Sequence, residues 1–265
     1  MRRSMFTVLC SILLTVVVAV PVAADEPQGS AVLALGDSVA AGEGSTNPDV
    51  NGFVPRVQRD LISEDCNDFV AKACPHLEVV NLGAMGGVTS GELVATQLAP
   101  AIDEILARQG DTDPNNDVEY IVISIGGNDL FGALHACAEG IGQACIDALT
   151  ATLTAFEQNL ATILGSLHAA APQAEIAIMT VYNPLGSCVL ADLEPLGNIA
   201  LEGGGVLPGG LNDIIRGVAG VFDRVEVVET FGLLETDDLV GGSDCRHPDD
   251  SGHRKIALAF GEALS

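Results

Sequence analysis

The stretch SDCRHPDDSGHRKIA, residues 243–257, carries two overlapping Asp-x-x-His registers: Asp244 with His247, and Asp250 with His253. An imidazole held by a carboxylate is a general base, because the carboxylate fixes one ring tautomer and steadies the cation formed on protonation. Such a base needs a nucleophile to serve, and a serine hydroxyl attacks poorly until its proton is taken. His247 precedes Pro248, and a residue before proline is biased away from helix, so the first register belongs to a loop. His253 falls inside a terminal helix pattern, where Asp250 or Ser251 is better used as the N-cap. The first register is the candidate acid–base couple.

Its partner must come from the elements around it. Five short apolar runs recur along the chain: Ala31–Leu35, Glu78–Asn81, Val118–Ser124, Ala174–Thr180 and Val225–Val228. They are continuous rather than alternating, as strands covered on both faces are. Helical patterns separate them at about Phe53–Ser63, Ser90–Arg108, Ala144–Ala170 and Leu211–Phe222, and a last one runs over Ser251–Leu264. Strand–helix alternation predicts one α/β domain with a parallel, doubly wound sheet, whose ligands bind beyond the carboxyl ends of the strands.

Four strand exits carry the relevant residue types. After the first strand, Gly36-Asp37-Ser38 puts a hydroxyl at a tight turn, although most serines at such turns only cap helices. After the second, NLGAMGGVTS (81–90) offers glycines whose N–H groups can approach a ligand, or simply a flexible turn. After the third, SIGGNDLFG (124–132) presents Asn128, whose amide can hold a developing oxyanion or close an Asx-turn. The exit of the fifth leads to Asp244 and His247. Each signal alone is modest; a nucleophile, donors, a base and its orienter in one crevice make acyl transfer the predicted chemistry.

GDS at 36–38, the glycine block at 81–90, GGND at 126–129 and DCRHP at 244–248 together resemble the four sequence blocks of the SGNH/GDSL hydrolase family. The blocks cover under a fifth of the chain, but their order and strand spacing fit the whole length after the first 24 residues. The resemblance implies a flavodoxin-like three-layer α/β/α sandwich with a five-stranded parallel sheet. It implies Ser38 as nucleophile, His247 as general base and then acid, and Asp244 as orienter. It also implies an oxyanion hole from the Ser38 and glycine N–H groups and the Asn128 amide. The glycine is ambiguous: counting from Asn81 gives Gly86, counting back from Thr89 gives Gly87, and Gly87 is preferred because it abuts the following helix. The expected activity is that of a serine esterase or lipase, with a carbohydrate O-deacetylase and a non-catalytic binding protein as the rivals. No cofactor or metal is implied, and no G-x-S-x-G elbow occurs.

Arg2 and Arg3 lead into an apolar run from Met5 to Val20, followed by Pro21 and the small residues Val22-Ala23-Ala24. This reads as a signal peptide over residues 1–24, cut after Ala24, leaving residues 25–265 as a secreted, extracellular domain without a stable membrane anchor. Cys10 is lost with it, and six cysteines remain, an even number that reads as three disulfides in an exported chain. The expected pairs are Cys66–Cys74, Cys137–Cys145 and Cys188–Cys245. A similar three-pair layout marks the secreted lipase/esterase branch of the family. The formal net charge of −25, with Lys72 and Lys255 as the two lysines, argues against charge-driven binding of nucleic acid or anionic membranes. A monomer acting on a small-molecule or lipid ester is the expectation. DTDPNNDVE (111–119) alternates acids as a calcium loop does, but lacks the glycine and the final glutamate of one, and reads as a polar turn. His76, His135 and His168 lack metal-ligand spacing. Aromatic stacking surfaces for a polysaccharide are scarce, and LEGGGVLPGG (201–210) is a candidate mobile apolar wall beside the cleft.

Overall fold

The computed structural model describes residues 29–65, 77–110, 116–137, 140–186, 192–242 and 244–264. The sheet contains β1 (Ala31–Gly36), β2 (Glu78–Asn81), β3 (Val118–Ser124), β4 (Glu175–Met179) and β5 (Val225–Val228). Every pairing is parallel, in the order β2-β1-β3-β4-β5. The helices are α1 (Pro48–Asn51), α2 (Phe53–Asp65), α3 (Ser90–Thr96), α4 (Leu98–Gln109), α5 (Gly127–Leu134), α6 (Gln143–Ala170), α7 (Glu194–Glu202), α8 (Leu211–Ala219) and α9 (Asp250–Leu264). The predicted five-stranded parallel sheet is present, with strand ends within a residue or two of expectation.

Alternation of side chains explains the continuous apolar runs. In β1, Ala31, Leu33 and Leu35 face one core with residues of α3–α6 and α8, whereas Val32 and Ala34 face a second core with α2 and α9. Each residue of β1 is buried. The chain leaves β1 to one side for β2 and returns on the other as β3. The diverging connections open a crevice at the carboxyl ends of β1 and β3, the switch point of such sheets. Among the described residues, no helix is long and apolar enough to cross a membrane.

Three departures from the sequence expectation matter. The helix expected over Ser90–Arg108 is two helices that meet at Gln97, because Pro100 has no N–H for the Thr96 carbonyl and its ring crowds that group. The segment after β3, expected as a glycine turn, enters α5 directly, with Leu130 and Ala133 buried on one face. The stretch 201–210 is not a free wall: Leu201 and Glu202 end α7, and a Gly204–Leu207 bridge closes the loop with Leu207 buried.

Gln97 uses its break in the helix. Its buried carboxamide accepts from Gly36 N–H and donates to Gly36 C=O, both at 2.8 Å, gripping the end of β1 as a neighbouring strand would. Gly36 is squeezed from the β3 side too. Its φ is +140°, and a Cβ there would stand 2.0 Å from the Ser124 carbonyl oxygen. The disulfide Cys137–Cys145 is present at the start of α6. Cys245 is disulfide-bonded and buried, while Cys66, Cys74 and Cys188 lie outside the described residues, as do residues 1–24, expected as a signal peptide, and residues 111–115 of the acidic turn at 111–119. Gly36→Ala is expected to destabilise the fold by at least about 3 kcal/mol, since both the left-handed backbone and the backbone oxygen resist it. Urea denaturation of the variant beside the parent measures this; a loss below about 1 kcal/mol would contradict the packing described.

Candidate active site

The exit of β1 curls at once into a helical turn, with Ala41 N–H donating to Asp37 C=O and Glu43 N–H to Ser38 C=O. Ser38 caps no helix. Its Oγ lies 2.9 Å from Nε2 of His247, across 209 positions of sequence. On the far side of the ring, Nδ1 is 2.9 Å from both carboxylate oxygens of Asp244. Nδ1–H donates to that carboxylate, so Nε2 is left as the acceptor for the Ser38 hydroxyl proton. Partial burial opposes ionisation of Asp244, but the His247 bond and charge, with the Arg246 and His247 amides, hold its carboxyl below the usual range.

The loop bearing His247 is strapped down. Val240 N–H donates to His247 C=O, Cys245 N–H to Val240 C=O, and the buried Tyr182 hydroxyl to Arg246 C=O at 2.7 Å. Cys245 itself has φ +55°, an uncommon conformation for a residue with a Cβ, maintained by these contacts.

The second register has another job. Asp250 accepts from the Thr46 N–H and hydroxyl, and His253 is buried on α9 between Phe53 N–H, which donates to Nδ1, and the Glu43 carbonyl, which accepts from Nε2. Burial pushes the His253 pKa down, consistent with a neutral ring. This pair clasps the loop after Ser38 to α9.

On the opposite side, Asn128 in the first turn of α5 donates from Nδ2 to Val88 C=O at 3.0 Å, leaving its other N–H for a ligand. A Cβ on Gly87 would lie 3.7 Å from Asn128 Oδ1, whereas one on Gly86 would meet nothing within 4 Å. Gly87 thus packs beside the Asn128 amide. Asp129, unnoticed in the sequence, staples this corner: its carboxylate accepts from the Ser90 N–H and hydroxyl, joining α5 to the start of α3. Asn81 ties the same block to the Ser38 turn, donating to Ala40 C=O. Among the described residues the Ser38 N–H has no hydrogen-bond partner. Ser38, Asn128 and His247 line one cleft of ≈ 750 Å³, open solvent included, whose inner wall is apolar through Leu130, Phe131, Leu134, Val181, Leu185 and Leu201.

Asp37 is a further group that motif reading did not single out. Its carboxylate is buried beside Ser38, accepting from Val39 N–H and the Ser124 hydroxyl. Burial pushes its pKa up to about 6, against those bonds and the attraction of His247. His135 is exposed and His168 rests against Phe222, both away from this chemistry; His76 lies outside the described residues. Among those described, no group of three or more His, Cys, Asp or Glu could hold a metal ion.

The folded state keeps the Asp37 proton to about pH 6, whereas the unfolded chain releases it near 3.8. Its contribution to stability is complete below pH 3.8 and is lost as pH rises through 6. Asp37→Asn should therefore gain on the order of 2–3 kcal/mol relative to the parent between pH 3.5 and pH 7.5. Urea melts at both pH values test this, and a difference independent of pH would refute the burial argument.

A family model described as GDSL-like lipase/acylhydrolase matches residues 34–255, a span that includes Ser38, Gly87, Asn128, Asp244 and His247. No curated protein matches the sequence. Among solved structures, a lipase from a goat-rumen metagenome superposes with TM-score 0.63 at 17% identity, covering 89% of this chain and all of that one. An acetylxylan esterase from Geobacillus stearothermophilus gives 0.56 at 19%, covering 91% and 97%. A phospholipase A1 from Streptomyces albidoflavus gives 0.51 at 16%, covering 89% and 100%.

Proposed function

The chain belongs to the GDSL-like lipase/acylhydrolase family and is a carboxylic ester hydrolase, and from that premise we propose that it cleaves esters of apolar acyl groups through an acyl-enzyme on Ser38. One observation carries the proposal: the hydrogen-bonded series Ser38–His247–Asp244 stands at the mouth of an apolar cleft. His247 takes the Ser38 proton as Oγ attacks the carbonyl carbon, and negative charge gathers on the carbonyl oxygen. The N–H groups of Ser38 and Gly87 and the Asn128 amide receive that charge, each donor contributing about 2.7–4 kcal/mol in sites of this kind. Asp244 steadies the imidazolium, which then protonates the departing alcohol. Water, deprotonated by His247, attacks the acyl-enzyme and frees the acid and Ser38. Every step uses groups of the chain and water.

The rest of the reading extends the sequence argument. The basic start, apolar run and small-residue site favour cleavage after Ala24 and export, and the Cys137–Cys145 bridge accords with an oxidising destination. Cys66–Cys74 and Cys188–Cys245 complete the proposed three bridges, and the exported protein acts as a monomer. The apolar inner wall favours an acyl chain over the acetyl groups of a glycan, a preference to which the acetylxylan esterase likeness, being one of fold, is neutral.

Ser38→Ala should lose on the order of 10⁴–10⁶ in kcat on p-nitrophenyl butyrate with an unchanged melting temperature, and should no longer be labelled by a fluorophosphonate probe. Turnover within about tenfold of the parent rules out Ser38 as nucleophile. Across p-nitrophenyl esters from acetate to octanoate, kcat/KM should rise beyond acetate by about tenfold or more, as burial of added methylenes requires. A maximum at acetate, with release of acetate from acetylated xylan, would favour the deacetylase instead.

A further inference from the structure

Glu43 takes no part in the reaction above, yet its Oε2 lies 3.7 Å from Nε2 of His247. The ring therefore stands between two carboxylates, Asp244 on the Nδ1 side and Glu43 on the side that faces Ser38. A stray surface charge is the plain alternative, since the side chain is 36% exposed and, among the described residues, has no other ion-pair partner. The backbone argues against accident. Glu43 N–H donates to Ser38 C=O, and its C=O accepts from the buried His253 ring, each at 2.9 Å. Gly42 and Gly44 on either side have φ +81° and +93°. A Cβ on Gly44 would lie 2.2 Å from the Pro248 carbonyl oxygen and 2.9 Å from His247 Cβ. Residues 42–44 are thus pressed against the His247–Pro248 loop, and position 43 delivers its side chain beside the ring.

That place has a chemical meaning once the ester-hydrolase reading is accepted, on which this inference rests. The alcohol oxygen must come within hydrogen-bond reach of Nε2 to be protonated, so whatever it is attached to passes close to the Glu43 carboxylate. The acyl group lies the other way, in the apolar cleft. Arg246, a cation lining that cleft, sits over the Phe131 ring at 5.6 Å, on the acyl wall. We infer that Glu43 determines specificity for the alcohol half of the substrate, favouring esters of neutral or cationic alcohols over esters whose alcohol carries an anion near the ester oxygen. Water around a partly exposed carboxylate weakens the field without removing it.

Three butyrates that differ in the charge on the alcohol half test this: 3-tert-butylphenyl, 3-carboxyphenyl and 3-(trimethylammonio)phenyl butyrate, with kcat/KM measured at low ionic strength by pH-stat. Intrinsic differences between leaving groups cancel when a variant is compared with its parent on the same three. Glu43→Gln should raise the anionic-to-neutral ratio and lower the cationic-to-neutral ratio, each by about three- to tenfold. Glu43→Asp should keep most of the parental discrimination. Glu226→Gln, which removes an exposed charge from β5, should leave both ratios within about twofold of the parent, showing that net charge alone does not act. Parental ratios in Glu43→Gln, or an equal shift in Glu226→Gln, overturn the inference while leaving the hydrolase reading intact. If the parent fails on the neutral butyrate, or Ser38→Ala succeeds, the proposed Ser38 acyl-enzyme on apolar esters falls and takes this inference with it.

Discussion

A hydrogen bond of 2.9 Å between Ser38 and His247 joins the first strand exit to the last, and most of the structure can be understood as what holds its two ends still. Errors of about 1 Å in such a contact can cost on the order of a hundredfold in rate, so neither end can be left to a free loop. On the serine side, Gly36 is caught between the Ser124 carbonyl and the Gln97 carboxamide, and the turn after it has little freedom. On the histidine side, Tyr182, Val240 and the disulfide at Cys245 fasten a loop whose backbone is left-handed at Cys245. Behind both, the two apolar cores hold the sheet from either face.

The surroundings of the ring are ordered by charge as well as by distance. Three carboxylates approach His247 in different states. Asp244 is held ionised by its bond to the ring, Asp37 is partly neutralised by burial, and Glu43 stays at the solvent edge. Each stands close enough for its charge to be felt at the ring, and the buried one acts through the least water. The chain's large negative charge therefore has a local counterpart at the site, but one built from particular positions rather than from excess acid.

Much of this was legible in the residues. The strands showed because burial on both faces leaves continuous apolar runs, and Ser38, Asp244 and His247 showed because each stands where a strand ends or a proline forbids helix. What escaped depends on contacts between distant segments. α5 hides behind glycines, and its first turn carries Asn128; the break at Gln97 follows from Pro100, a signal present in the sequence and not used. Counting cannot separate Gly86 from Gly87, whereas the fold packs Gly87 beside Asn128. Asp250 and His253 looked like an ordinary helix start because their partners, Thr46, Phe53 and the Glu43 carbonyl, are some 200 residues away. Asp37 and Glu43 acquire their roles only from what folding brings beside them.

The clasp formed by Asp250 and His253 divides the cleft into unequal jaws. The His247 loop, the serine turn and the Glu43 arm are fastened to α9 or to one another by hydrogen bonds. The opposing jaw, made of α5 and α7, lines the cleft with apolar side chains, a kind of surface that tolerates exchange of one size for another. Repacking that jaw would reshape the cleft while leaving the Ser38–His247 contact on the other side in place.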